Sequence, residues 1–319
     1  MPKLQTTTTG LWPKIGGSAP SLRAALHQAD QQKITPTELE KVFQANLERA
    51  VTEQATAGID LINEGLIRAA DLFAPLVAAW SGLTRRGIHR YLDTNTLYGE
   101  PVVESALEFQ PTQTSQDFAY AHKLGARKAV LPGPFTFAAA CIDNFYPEPK
   151  ALRQAITQNL KQEIQNLVQA GAELIELQEP ALAYTPSEAQ EIQATVAQLA
   201  PVAPVIWTTY FRNFDLATAR AIVAGGGLLG LDLTTNLSFA LAELPTGIQQ
   251  IQFGAINTRE TQLEDATHYA KIQKQLQDFA QQNATAEIWL STNTSVEFLP
   301  HDRALKKVQL LQELKEFLL

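Results

Sequence analysis

The 319-residue chain holds a single cysteine, Cys141. One thiol closes no internal disulfide, and there is no cysteine pair to grip zinc. Its apolar neighbours in FTFAAACIDNF predict a buried, inert thiol. Positive charge is also scarce: 25 Lys and Arg against 33 Asp and Glu leave a net charge of −8. A phosphate backbone needs clustered cations, so nucleic acid is excluded as a partner. No apolar run reaches the ~18 residues of a membrane span. The opening MPKLQTTTTGLWPK has no apolar signal core. The expectation is a cytoplasmic protein with no membrane partner. The five histidines show no metal-type H-x-x-x-H spacing, and no Ser-His-Asp set is apparent. His27, His89, His122, His268 and His301 all read as helix or surface residues.

What is present is globular composition, 45% apolar and 18% charged. Short β-rich runs recur, each followed by a helical pattern. They are TGLWPKIG near residue 10, GIDLINEG (58–65), KAVLPGP (128–134) and ELIELQEP (173–180). PVIWTTY (204–210), GLLGLDL (227–233), IQQIQFGAIN (248–257) and AEIWLSTN (286–293) follow. Several are apolar throughout, as strands covered on both faces should be. Thr35-Pro36-Thr37-Glu38 predicts a capped helix running to about Gly58. Thr185-Pro186-Ser187-Glu188 repeats that device. Helical patterns also cover 262–283 and 301–318. Eight strand–helix units predict a single (β/α)8 TIM barrel over residues 1–319, with an insertion between strands 2 and 3 at about 66–127. That stretch is too long for one crossover and suggests a flap. A doubly wound sheet is the alternative, but KIGGSAPS lacks the G-x-G-x-x-G phosphate loop.

Barrel chemistry collects where strands end. Those positions are Lys14, Asn63, Glu64, Glu179, Thr208 to Tyr210, Asp232, Asn257 and Asn293 to Ser295. They form a polar ring suited to a small polar molecule. Glu179 sits before Pro180, where an acid can serve either a ligand or a helix N-terminus. Arg85, Arg86, His89 and Arg90 make a small basic patch in the insertion, either a solvated face or an anion contact.

Several stretches, in order, resemble the cobalamin-independent methionine synthase family, specifically its N-terminal barrel. GLWPKIGGSAPSLRAALHQ is similar to the family's G-F-P-R-I-G and R-E-L-K opening, and AGIDLINEG sits where it has its second strand. RYLDTNTLYGEPVV resembles F-D-T-N-Y-H-Y-x-V-P through Asp93, Thr94, Asn95, Tyr98 and Pro101. KAVLPGPFTF, IELQEPALA, TTYF (208–211), FGAINTRE and STNTSVEFLP resemble five later motifs. The resemblance implies a methionine-synthase barrel. In that family a second barrel carries zinc on His, Cys, Glu and Cys and moves a methyl group from a methylated folate to homocysteine. Zinc there presents the substrate as a thiolate.

The resemblance also locates departures. The zinc ligands would fall near Trp207, Thr209, Asp232 and Thr294, and indole and hydroxyl are poor zinc donors. No metal or other cofactor is therefore expected. The acid that would hold the homocysteine amine corresponds to Gln178, and the basic folate-tail segment is thinned to Arg23 and Lys14. The expected ligand contacts are Lys14, Arg23, Asp93, Asn95, Gln178, Glu179, Thr209, Tyr210, Asp232, Asn257 and Ser295. Glu179, Asp232 and Tyr210 are the candidate catalytic groups. The resemblance implies a folate- or homocysteine-like ligand and a partner in a separate zinc-bearing methionine synthase barrel. An independent zinc-free methyltransferase and a non-catalytic binding barrel remain as alternatives.

Overall fold

The computed structural model describes residues 3–92, 94–283 and 286–319. The chain runs β1 (Lys3–Thr6), α1 (Leu22–Asp30), α2 (Pro36–Thr56) and α3 (Ala74–Ala79). The hairpin strands β2 (Ser81–Arg90) and β3 (Leu97–Glu108) follow, then α4 (Thr114–Lys123), β4 (Lys128–Pro132) and α5 (Pro134–Ala140). Next come β5 (Ile142–Asp143), α6 (Pro149–Gln169), β6 (Leu174–Gln178), α7 (Ala181–Tyr184) and α8 (Ala189–Leu199). The rest is β7 (Val205–Thr208), α9 (Leu216–Ala224), β8 (Leu228–Asp232), β9 (Gln250–Ile256), α10 (Ala266–Ala280), β10 (Glu287–Thr292) and α11 (His301–Leu318).

These elements make a mixed α/β fold. Its parallel sheet has the order β1-β10-β9-β8-β7-β6-β4 and forms a half-barrel with helices outside. Beyond the named strands, Thr7 bridges Leu61 and Asn63 bridges Lys128, both in parallel. A smaller sheet, β2-β3-β5, is built on the antiparallel hairpin. The segment 66–127 thus holds α3, the hairpin and α4. No helix among the described residues is long and apolar enough to cross a membrane.

The six later strand expectations all coincide with named strands, and the two earliest do not. The first strand is Lys3–Thr6, ahead of TGLWPKIG. Gly10 takes a left-handed φ of +66°, and the Gly10 and Leu11 amides donate to the Glu176 and Ser295 side chains instead of a ladder. Residues 58–65 carry only the two isolated bridges. There the Gln54 side chain, buried on α2, takes both the N–H and the C=O of Asn63, which removes those groups from strand pairing.

Helix starts divide in the same way. Thr35 and Glu38 form the expected capping box for α2, which ends at Thr56. The second device does not form. The Thr185 amide closes α7 onto Ala181, and α8 starts without a side-chain cap. One other expectation needs adjusting. Cys141 is only partly buried, although its surroundings push the thiol up to about 12 and keep it neutral. His89 is a surface residue, as read, and lies on the exposed strand β2.

Candidate functional site

The sheet's inner face holds a charged pair. Lys128 on β4 donates to Glu176 on β6 at 2.7 Å and to the Thr8 carbonyl at 2.7 Å, with both side chains fully buried. The Gln252 amide on β9 lies 3.5 Å from the same ammonium. Burying two charges is costly unless each is closed by partners, and this pair is closed on three sides. Neither residue belongs to the strand-end set read from the sequence. The signal was there: one acid inside LIELQ and one lysine opening KAVLP, both in otherwise apolar strands.

From this pair a hydrogen-bond chain climbs to the rim. Gln178 donates to Glu176 at 3.1 Å and accepts from the Tyr210 hydroxyl at 2.9 Å. The Tyr210 hydroxyl is in turn hydrogen-bonded to Tyr91, at the end of the hairpin strand β2. Burial drives both phenols upward, Tyr91 beyond the ordinary range and Tyr210 well above it, so both stay protonated. Tyr91, Tyr98 and Phe73 stack edge to face above the chain. The space left between them, Gln178, Ser295 and Glu297 is about 10 Å³, room for one water. Gly10 packs against two of its lining side chains: a Cβ there would stand 2.1 Å from the Ser295 hydroxyl and 2.4 Å from the Gln178 amide.

The other expected residues divide between the rim and elsewhere. Lys14 reaches Glu297 at 3.1 Å beside the rim, and Ser295 accepts from the Leu11 amide. Thr209 donates to the Arg212 carbonyl, and Asn257 accepts from the Arg259 amide. Arg23 is exposed on α1, and Asn95 is exposed in the hairpin loop. Asp93 lies outside the described residues. In the basic patch, Arg85 is paired with Asp71, and His89 lies 3.3 Å from Glu100.

Glu179 is engaged by the first turn of α5. Its carboxylate accepts from the Phe135 amide, the Thr136 amide and the Thr136 hydroxyl, each at 2.8 Å. It therefore caps α5, the helix of the preceding unit. Burial pushes its carboxyl up to about 8, against the pull of those three donors. Gly133 makes room for it, since a Cβ there would stand 2.2 Å from the carboxyl carbon. Asp232 is similarly engaged, by the Thr234 amide and hydroxyl and by Asn293 at 3.2 Å.

Trp207 requires a correction, because its indole was expected at the rim. Glu176 points inward, so its register partner Ile206 does too, and Trp207 faces the helices. There its ring lies over Gly227 near Val196, with the indole N–H unpartnered. Thr294 is buried, its hydroxyl also without a partner. Among the described residues, no three His, Cys, Asp or Glu side chains gather as a metal-binding group.

The model of the cobalamin-independent synthase N-terminal domain matches residues 83–281. The chain belongs to that family. Methionine synthase of Saccharolobus solfataricus is 28% identical over 185 residues, 57% of this chain and 54% of that protein. The chain thus spans about half the length of that relative. The Sulfurisphaera tokodaii methionine synthase is 23% identical over 314 residues, covering 97% and 90%. Among solved structures, a B12-independent methionine synthase from Shewanella sp. W3-18-1, in complex with selenomethionine, superposes with a TM-score of 0.78. It is 19% identical, with 99% of this chain and 97% of that one covered. A protein from Listeria monocytogenes described as a putative vitamin-B12-independent methionine synthase superposes at 0.74 with 13% identity, covering 100% and 98%. At such identities the superpositions establish the fold of the family.

Proposed function

We propose that this chain is an accessory, zinc-free barrel of the cobalamin-independent methionine synthase family, cytoplasmic, that works beside a separate zinc-bearing barrel. In this reading the bridges at Leu61 and Asn63 close the sheet into a (β/α)8 barrel, and the hairpin is its flap. The carrying observation is the donor set at the family's zinc positions. Trp207 faces the helices, the Thr209 hydroxyl is bonded to a carbonyl, and the Asp232 carboxylate is filled by three donors. Zinc wants sulfur and imidazole, and a set of one engaged carboxylate with hydroxyls does not fit it.

The polar groups of the mouth are closed on one another, and the space above them admits one water. That arrangement suits a rim that shapes a cleft or holds part of a methyl donor rather than one that activates a thiol. Gln178, Tyr210, Lys14 and Ser295 are the groups a folate- or homocysteine-like ligand would meet once the hairpin lifts.

The test is methionine formation from a methylated folate and homocysteine, measured for this chain, for a candidate zinc barrel and for their mixture. Elemental analysis of each accompanies it. Expected are no turnover by this chain alone, a several-fold faster rate for the mixture than for the partner, and no stoichiometric zinc on this chain. Turnover by this chain unaided, stoichiometric zinc, or a mixture no faster than the partner overturns the reading.

A further inference from the structure

On the flank of the sheet, α2, α3, α4, the segment 64–70 and Arg85 of β2 line a cleft of about 490 Å³. Its walls are mostly apolar, including Leu47, Leu66, Ile67, Ala74 and Pro75. Into it comes Glu64, only 1% exposed, with neither carboxylate oxygen hydrogen-bonded to another residue. A buried acid without a partner is expensive and uncommon in a folded protein.

The cations nearby are already matched. Arg68 holds Asp117 through two hydrogen bonds, at 2.8 and 2.9 Å, and Glu40 at 2.9 Å. Arg85 is closed on Asp71. Lys128 is held by Glu176 on the inner face. Each lining arginine thus has its carboxylate, and Glu64 is the acid left over. Burial is the main influence raising its proton affinity; Asp117 and Glu176 add to it, while its own backbone amide and Lys128 pull the other way.

We propose that this cleft is a binding site for a small organic ammonium ion with an apolar body, its charged end on Glu64 and its body against the walls from α2 and α3. The site is independent of the reading given for the mouth, and nothing in the test depends on methyl transfer. Burial pushes the empty acid up to about 8, so it is protonated at neutral pH. An ammonium ligand then displaces that proton. The charged groups around it are Asp117 on α4, Arg68 in the segment itself, Arg85 on β2, Lys128 on β4 and Glu176 on β6. Glu40 on α2 acts through Arg68, and α3 carries no charge. Affinity for the amine therefore rises about tenfold per pH unit from pH 6 towards 8.

Calorimetric titration of the full chain with benzylamine, benzyl alcohol and phenylacetate tests this. Benzylamine is expected to bind at least tenfold more tightly than the alcohol, with phenylacetate weakest. Glu64→Gln is expected to lower the amine to the alcohol's level. A second variant, Ala78→Phe, narrows the rim while leaving Glu64 in place, and should weaken benzylamine several-fold with circular dichroism unchanged. Equal binding of amine and alcohol, no amine binding at millimolar concentration, or an amine preference that survives Glu64→Gln overturns the proposal.

Discussion

The mouth of the sheet and the flank cleft treat buried polar groups in opposite ways. At the mouth, Lys128, Glu176, Gln178, Tyr210 and Tyr91 form an unbroken chain in which each group answers the next. At the flank, Glu64 is as deeply buried and has no hydrogen-bond partner from another residue. The cavities differ accordingly, about 10 Å³ above the mouth and about 490 Å³ beside Glu64. A closed network rigidifies and specifies a structure, whereas a buried polar group left unanswered is costly. The rim residues of a family site can thus be intact in outline yet engaged with each other, while the unanswered chemistry lies elsewhere.

Three measurements break or sharpen this contrast. The largest effect is expected from Lys128→Met, which turns the mouth's paired acid into an orphan. Leaving Glu176 buried without its cation should cost about 3–5 kcal/mol, and the Lys128→Met/Glu176→Leu pair should recover most of it. Denaturant midpoints check this, and a loss below about 1 kcal/mol for the single variant would show that the pair does not matter to the fold.

Next comes the pH dependence of the flank. Glu64 binds its proton more tightly folded than unfolded, because burial raises it from 4.5 to about 8. Its contribution to stability is therefore complete below about 4.5 and is lost as the pH rises through about 8. Between those values the unfolded chain has released the proton and the folded chain has not, so stability falls by up to about 1.4 kcal/mol per pH unit. Glu64→Leu should remove that share of the slope and raise the thermal midpoint at pH 8. The share due to Glu179 has the same sign and remains. An unchanged slope in the variant would contradict an orphan acid at this position.

The smallest effect is expected at the top of the mouth. Tyr91→Phe deletes the hairpin's hydrogen bond to Tyr210 but leaves Tyr210 bonded to Gln178. The cost should be about 1 kcal/mol, seen as faster amide exchange in β2 and β3 with the main sheet unaffected. Exchange that quickens equally in β6 and β7 would mean the hairpin is no separate flap.

Much of this was legible from residue patterns. The apolar runs of β4, β6, β7, β8, β9 and β10 read as strands because both of their faces are covered, so no polar alternation confuses them. Thr35 and Glu38 read as a cap because every partner lies within one turn. The two misplaced strands fail because side chains answer their backbone groups: Gln54 answers Asn63 from nine residues away, and Glu176 answers Gly10 from 166. In the site, Tyr210 was read at a strand end and Gln178 as a ligand contact, and they meet there; Glu64 was read into the same polar ring but lines the flank cleft instead. Glu179 was read as an acid at a strand end, serving a ligand or the helix after Pro180; in the structure its carboxylate accepts from the first turn of α5, the helix of the neighbouring unit.

The sequence by itself determined the periodicity, and with it the α/β class and the short-range caps, because those depend on neighbours within a few residues; the family was read separately, from motifs that resemble the family's in order along the chain. Only the tertiary structure decided which polar groups answer one another. Lys128 meets Glu176 across 48 positions, while Glu64 meets no hydrogen-bond partner from another residue. Burial makes that difference matter, since in water a paired and an unpaired carboxylate cost nearly the same, and inside the protein they do not.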